Sequence, residues 1–196
     1  PAPQVATHNF RFSEDYDLYP SGAKTKYKNN VMAIKLLKQI ELEKRTATPE
    51  EQIILARYVG WGGLANAFSS TASGWENEYQ ELKSLLTDVE YKAAMNSTIT
   101  AYYTEPDLIR HIYRALERFG FEGGPDRKIL DPGMGTGNFY SVLPEQFQGS
   151  KLFGVELDSI TGRIAKQLYP DADISIMGYE ATKFEDNSFD VILGNI

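Results

Sequence analysis

An acid and three alternate glycines in the stretch ILDPGMGTGNF are the residues of this sequence best suited to bind a ligand. Asp131 follows an aliphatic pair, and Gly133, Gly135 and Gly137 come after it at every second position. Glycine has no side chain, so it lets main-chain amides approach a ligand closely. A glycine loop directly after a strand is the context that nucleotide-binding motifs require. We therefore predict that this loop holds a ligand against bare backbone.

The charge and spacing of the loop discriminate between ligands. A dinucleotide-binding loop has the spacing GxGxxG and lays a pyrophosphate on a helix N-terminus, whereas the spacing here is GxGxG. The Asp131 carboxylate would repel a pyrophosphate and attract an ammonium or sulfonium group. The loop is therefore predicted to suit a ligand that carries positive charge. A tight turn without a ligand is the alternative.

A second acid ends the next predicted strand, in GVELD. Glu156 lies more than twenty residues beyond the first loop glycine, and an acid at this strand end accepts hydrogen bonds from both ribose hydroxyls in open α/β folds. Asp158 competes for this role, but the alternation of FGVELD favours Glu156 toward the ligand, with the neighbouring Leu157 packing. Ribose and a cationic group without phosphate together describe S-adenosylmethionine, which we predict as the cofactor in preference to a dinucleotide.

The elements that position these residues lie between residues 99 and 196. Short apolar runs predict strands at KIL, KLFGVELD, DISIMG and FDVILGN, separated by predicted helices or turns. An amphipathic helix with Pro106 in its first turn and Thr104 as its cap precedes them. Strands that alternate with helices indicate a doubly wound parallel α/β sheet.

Residues 1–98 are predicted to form an irregular arm followed by helices, without strands. Apolar residues recur at helical spacing from about Asn30 to Arg45, and TPEE at Thr48 reads as a capping box with proline at the first helical position. Thr87 is predicted to cap a further helix. Trp61, in the glycine-rich GWGG, is interpreted as a buried indole at a helix end or as an aromatic surface near the cofactor or DNA; Trp75, Tyr102 and Tyr103 carry the same two interpretations.

Composition and charge restrict the classes of function. The 196 residues contain no cysteine and two histidines, so neither a thiolate nor a histidine metal site is expected, and a reducing, cytoplasmic location is predicted. No apolar run is long enough to span a membrane. The net charge is −7, yet residues 21–48 hold seven bases and two acids. We interpret this basic segment as a solvated helix face, with a phosphate-binding patch as the alternative.

The motifs DPGMGTGNF, GVELD, FDVILGN and AYYTEP together resemble the amino-group DNA methyltransferases that act on adenine. The resemblance implies a Rossmann-like fold and a glycine loop, extended through Asn138 and Phe139, that binds the methionine part of the cofactor. It assigns ribose to Glu156, with Leu157 beside it. It places Tyr103, Thr104 and Pro106 over the methionine side, and an acid after the third strand at the cofactor's adenine amino group. Glu180 is the candidate for that acid, with Tyr179 or Asp186 possible.

The same resemblance makes Asn195 the catalytic candidate. The family's catalytic motif begins with asparagine, usually followed by two prolines and an aromatic residue, but Ile196 stands here in place of the first proline. Asparagine and backbone carbonyls can accept both hydrogens of an adenine amino group, which turns its lone pair toward the methyl group. The alternative is an asparagine that only ends a strand.

The wider chain, from about residue 20 to 196, resembles the N-terminal part of large helicase-related proteins of phages, plasmids and conjugative elements. ATPEEQIILARYVGWGGLANAF and SKLFGVELDSITGRIAKQLYP carry this likeness. It implies DNA as a partner through the full-length protein, and a helicase-like region C-terminal in cis. Because the sequence stops at a strand end, we expect a piece of a longer protein that is inactive alone. The alternatives are an inactive cofactor-binding or structural module serving the helicase, and methylation of RNA or protein.

Overall fold

The computed structural model describes residues 8–19, 21–99 and 103–195. The chain divides into two compact units. The described residues of 14–102 form a helical unit, whereas residues 8–13 and 103–195 form an α/β unit. The predicted N-terminal arm is therefore divided: the Phe10 N–H donates to the Leu168 carbonyl at 2.7 Å, and the Phe12 N–H donates to the Ser141 carbonyl at 2.9 Å. Within the described ranges, no helix has the length and apolar content needed to cross a membrane.

Four α-helices build the helical unit, and no strand occurs in its described part. They are α1 (Ala23–Leu42), α2 (Pro49–Ala56), α3 (Glu76–Leu85) and α4 (Asp88–Asn96), with short 3₁₀ helices at Glu14–Tyr16, Ala65–Phe68 and Ser97–Ile99.

Both predicted N-terminal caps of the helical unit are present. The Thr48 side chain accepts a hydrogen bond from the Glu51 N–H, and the Glu51 side chain accepts one from the Thr48 N–H, which completes a capping box. Thr87 and Glu90 form the same box at the start of α4. Helix α1 begins at Ala23, about two turns before its apolar period. Tertiary contacts explain the difference, because its first turns hydrogen-bond to α3 through Lys24 and Tyr27.

An aromatic cluster forms much of the core of the helical unit. Trp61 is 1% exposed and packs edge-on against Tyr58 and Phe68, with ring centroids 6.4 and 5.2 Å apart. Trp75 is also buried and meets the Tyr27 ring edge-on at 6.0 Å. The interpretation of Trp61 and Trp75 as packing residues is therefore right, and that of an aromatic binding surface is wrong for both. Tyr102 lies outside the described residues.

Most bases of the basic segment, residues 21–48, form ion pairs within the helical unit. Lys24, Lys35 and Lys38 of α1 pair with Glu78, Glu81 and Glu90, and Arg45 pairs with Glu43 and Glu51. Four of the seven bases thus contact carboxylates of the protein itself, so the interpretation of a helix face is favoured over that of a phosphate-binding patch.

The α/β unit has a four-stranded parallel sheet. Its elements are α5 (Pro106–Arg118), β1 (Lys128–Asp131), α6 (Asn138–Ser141), β2 (Lys151–Glu156), α7 (Ser159–Leu168), β3 (Asp173–Ile176) and β4 (Val191–Ile192), with 3₁₀ helices at Glu145–Phe147 and Tyr179–Ala181. This is the Rossmann-like, doubly wound arrangement that the sequence predicts. Helix α5 begins at Pro106 as expected, but its N-cap is Glu105, without a side-chain hydrogen bond, and not Thr104.

The strand order β3-β2-β1-β4 sets the position of the site. The chain proceeds outward from β1 to β2 and β3, and then returns to the other side of β1 as β4. Asp131 is in register with Gly154, and Glu156 with Ile176, all in parallel pairs. The order reverses between β1 and β4, and ligands of open α/β sheets bind at the carboxyl ends of the strands at such a switch point.

Candidate functional site

The glycine loop and Asn195 follow the two strands that flank the switch point. The loop continues from β1, and Leu193, Gly194 and Asn195 continue from β4, where the Leu193 N–H donates to the Leu130 carbonyl at 2.9 Å. A Cβ at Gly194 would lie 2.5 Å from Asp131 Oδ1. The acid before the glycine loop therefore touches the backbone directly before Asn195.

Asp131 is a buried acid whose polar contacts come from the main chain. It is 1% exposed, and its Oδ1 accepts a hydrogen bond from the Gly133 N–H at 3.2 Å. Burial raises the pKa of Asp131 to about 7; the Gly133 hydrogen bond opposes this rise, and the negative charge of Glu156 adds to it. Near neutral pH this carboxyl is therefore poised between its two protonation states.

Glu156 joins the end of β2 to the glycine loop. Its Oε2 accepts a hydrogen bond from the Gly135 N–H at 2.8 Å, and its Oε1 accepts one from the Asp158 N–H at 2.7 Å. Burial raises the pKa of Glu156 despite these two hydrogen bonds. A carboxylate has about four lone-pair sites, so Glu156 retains capacity for a further donor, such as a ribose hydroxyl.

Asp158, the competing acid, caps helix α7. Its Oδ1 accepts hydrogen bonds from the Thr161 N–H at 2.8 Å and from the Thr161 hydroxyl at 2.6 Å. An N-cap carboxylate of this kind satisfies an otherwise unpaired helix N–H. This structural use favours Glu156 over Asp158 as the acid available to a ligand.

Two tyrosine rings pack against the second and third loop glycines. Gly135 and Gly137 have φ of 56° and 85°, in the left-handed region that favours glycine. A Cβ at Gly135 would lie 2.8 Å from Tyr103 Cε1, and one at Gly137 would collide with the ring of Tyr169. The structure thus brings Tyr103 to the loop, as predicted, and adds Tyr169 on the other glycine.

The segment before α5 is hydrogen-bonded to the loop. The Asn138 side-chain amide donates to the Thr104 carbonyl at 3.2 Å, and Pro106 is buried at the start of α5. The segment that contains Tyr103 and Thr104 therefore lies against the glycine loop and Asn138.

Phe139 and Leu157, two residues predicted to bind the cofactor, lie in environments that differ from the prediction. Phe139 is 4% exposed and packs its ring against Tyr113, so its side chain belongs to the core. Leu157 was predicted to pack, but it is 75% exposed. The reason is that β2 ends at Glu156 and the Asp158 cap begins directly after it, so the inward and outward alternation of the strand does not continue to Leu157.

The three candidates for the cofactor's adenine amino group lie after β3. Tyr179 and Glu180 are exposed within the 3₁₀ helix, and the Glu180 carboxylate folds back against Gly178. Asp186 is exposed in the following loop. Asn195 is exposed at the end of β4, while Ile196 lies outside the described residues.

Three supporting residues carry no motif signal and were missed in the sequence. Met134 lies over Gly154, where any side chain on β2 would collide with its sulfur, and its N–H donates to the Val155 carbonyl at 3.0 Å. The Tyr113 hydroxyl donates to the Phe139 carbonyl at 2.8 Å, and the Tyr169 hydroxyl to the Gly137 carbonyl at 2.7 Å. These contacts hold the glycine loop against the rest of the α/β unit.

The site chemistry fits S-adenosylmethionine. A buried and a half-buried carboxylate beside the backbone of the glycine loop disfavour a pyrophosphate and favour a cation, and Glu156 keeps acceptor capacity for hydroxyl donors. In the described ranges, no group of three or more His, Asp and Glu side chains is arranged to hold a metal ion.

Comparison with known proteins agrees with this chemistry. Residues 130–195 match the family model described as a methyltransferase domain. The chain is 26% identical over 169 residues to the Defense against restriction protein B of Escherichia phage P1, a match that covers 85% of this chain and 6% of that protein. It is 32% identical over 75 residues to the Modification methylase CviBIII of Paramecium bursaria Chlorella virus NC1A, covering 38% of this chain and 20% of that protein. The chain therefore spans only a small part of each relative.

Among solved structures, a TehB-like SAM-dependent methyltransferase from Corynebacterium glutamicum is 25% identical, with a TM-score of 0.31 over 46% of this chain and 54% of that one. The family match and the site chemistry lead to one conclusion: they support a methyltransferase domain at residues 130–195 whose cofactor is S-adenosylmethionine.

Proposed function

We propose that this chain is the S-adenosylmethionine-binding module of a DNA adenine amino-group methyltransferase, within a larger helicase-related protein. The observation that carries the proposal is the position of Asn195 at the switch point, one residue from the Gly194 backbone that touches Asp131. We infer that this position puts the Asn195 side-chain carbonyl, a hydrogen-bond acceptor, near the methionine end of the proposed cofactor site.

The bound cofactor would supply an electrophilic methyl group. The adenine amino group is a weak nucleophile because its lone pair is delocalised into the ring. The Asn195 side-chain carbonyl and a neighbouring backbone carbonyl would accept its two hydrogens and direct the lone pair toward the cofactor. The target base must first leave the duplex to reach such a site. Most of the rate gain would come from positioning and electrostatics.

The relatives support a DNA substrate. One is named a modification methylase and the other a defense against restriction protein, and we transfer from them the proposal that this chain serves DNA modification. The match covers only 6% of the phage P1 relative, which is therefore far longer than this chain and agrees with a module that works beside other regions. We propose DNA and a C-terminal helicase-like region in cis as the partners.

A second function is favoured by the charges of the helical unit. Four of the seven bases in residues 21–48 are engaged with carboxylates of the same unit, and the net charge is −7. Nucleic-acid binding depends largely on basic contacts to phosphates. A module that binds the cofactor without transferring its methyl group, and that serves the helicase structurally, is therefore the alternative.

Methyl transfer measured on the longer natural protein separates the two functions. With radiolabelled S-adenosylmethionine and duplex DNA, the adenine methyltransferase proposal predicts label in N6-methyladenine and a loss of about 100-fold or more in Asn195→Ala. Binding of the cofactor without any label in DNA would favour the non-catalytic module. Transfer by Asn195→Ala at the wild-type rate would remove the proposed role of that residue.

A further inference from the structure

Tyr169 packs against the third glycine of the loop, Gly137. It is 2% exposed, directly follows α7, and donates its hydroxyl to the Gly137 carbonyl at 2.7 Å. Its ring occupies the space that a side chain at Gly137 would need. The third loop glycine is thus required by Tyr169 as well as by its left-handed φ of 85°.

The Tyr169 hydroxyl donates to a peptide group of the glycine loop. The Gly137 carbonyl also accepts the first helical hydrogen bonds of α6, from Tyr140 and Ser141 at 2.9 and 3.1 Å. In a trans peptide the carbonyl and the following N–H point in opposite directions. Holding the Gly137 carbonyl toward Tyr169 therefore turns the Asn138 N–H away from Tyr169.

Tyr169 is itself held in place from two directions. Its ring packs edge-on against Tyr140 with centroids 5.8 Å apart, and its N–H donates to the Ala165 carbonyl at 2.9 Å. The preceding Leu168 carbonyl accepts the Phe10 N–H at 2.7 Å, so the segment 8–13 supports the end of α7. A rigid supporting residue of this kind can orient groups that contact a ligand.

We propose that Tyr169 is a positioning residue for the cofactor loop, which fixes the Gly137–Asn138 peptide for S-adenosylmethionine binding. It does not contact the cofactor. The proposal rests on the proposed cofactor site and adds a residue outside its motifs.

The test is the affinity for S-adenosylhomocysteine, measured by calorimetric titration of wild-type protein, Tyr169→Phe and Tyr91→Phe. Tyr91→Phe is the matched control, because it also loses a buried tyrosine hydroxyl, one that donates to the Phe68 carbonyl within the helical unit and not to the loop. Loss of one hydrogen bond that orients the loop predicts about five-fold weaker binding by Tyr169→Phe. Thermal unfolding of both variants gives the accompanying stability change.

The outcomes separate the positioning role from the cofactor site. Weaker binding by Tyr169→Phe, with affinity retained in Tyr91→Phe at a similar stability loss, supports the positioning role. Unchanged affinity in Tyr169→Phe, or an equal loss in both variants, overturns it while leaving the cofactor site intact. No binding by the wild-type protein would instead refute the cofactor site, and the positioning role with it.

Discussion

The pKa values of the acids in the helical unit and of the acids at the switch point are shifted in opposite directions. Glu51, Glu78 and Glu81 accept hydrogen bonds from arginine or lysine, and these contacts lower the pKa of each carboxyl. Burial raises the pKa of Asp131 and Glu156. In the described part of the chain, neither has an ion pair with a base; their hydrogen-bond donors are main-chain N–H groups.

We interpret this difference as one between acids that stabilise the fold through ion pairs and acids that are available to bind a ligand. An acid paired with a base is stabilised in its charged form, whereas a buried acid without a cation is destabilised in that form. Strongly perturbed acids in a cleft are candidates for function. In the described residues, the fold provides no base beside the two carboxyls of the switch point, and a cationic cofactor would stabilise their charged forms.

Replacing Glu156 should have the largest effect. Glu156→Gln keeps the volume but offers one acceptor oxygen where two N–H groups need one each, and it removes the charge. We expect at least about 100-fold weaker binding of S-adenosylmethionine, together with a stability loss of about 1–3 kcal/mol for the unpaired N–H. Calorimetry and denaturant unfolding measure the two quantities. Glu78→Gln, in the helical unit, is the control and should leave the cofactor affinity unchanged.

Asp131→Asn should move affinity and stability in opposite directions. Asparagine can still accept the Gly133 N–H, and it removes the penalty for a buried charge. We expect S-adenosylmethionine to bind about 10- to 100-fold more weakly, while the free energy of unfolding at pH 8 stays equal or rises. A less stable variant with unchanged affinity would make Asp131 an ordinary structural acid.

The pH dependence of cofactor binding tests whether the charged form of Asp131 contributes to the site. The pKa of Asp131 is raised from 3.8 to about 7, so its native state holds a proton that the unfolded state has lost. The stability from this group is complete below pH 3.8 and is lost as the pH rises through about 7. A cationic ligand favours the charged form, so S-adenosylmethionine affinity should increase by up to about ten-fold per pH unit up to pH 7 and then level off. Asp131→Asn should abolish this pH dependence. A wild-type affinity that does not change with pH would contradict the proposed contribution of Asp131.

Removing a surface ion pair should have the smallest effect. Lys35 and Glu81 lie 2.7 Å apart, with side chains 55% and 36% exposed, and solvent-exposed pairs contribute little. We expect Lys35→Gln to change the free energy of unfolding by less than about 0.5 kcal/mol and to leave cofactor binding unchanged. A loss of several kcal/mol in urea unfolding would show that the charges of the helical unit stabilise it more than their exposure indicates.

Local signals in the sequence were sufficient for much of the secondary structure. The capping boxes at Thr48 and Thr87 and the alternation of strands and helices depend on residues within a few positions of one another. The packing of Tyr169 on Gly137, the contact of Gly194 with Asp131 and the ion pairs of α1 join residues far apart in the chain. Such contacts depend on the tertiary fold, which has no local pattern. The error at Leu157 has the same origin, because the strand ends one residue before the alternation would have placed it in the core.

The central claim is that the switch point binds a cationic nucleoside and not a phosphorylated one. Parallel calorimetric titrations of the protein at pH 8 with S-adenosylmethionine and with nicotinamide adenine dinucleotide test it most directly. We predict one-to-one binding of S-adenosylmethionine and no measurable binding of the dinucleotide. Binding of the dinucleotide as tight as that of S-adenosylmethionine, or binding of neither, would contradict the account.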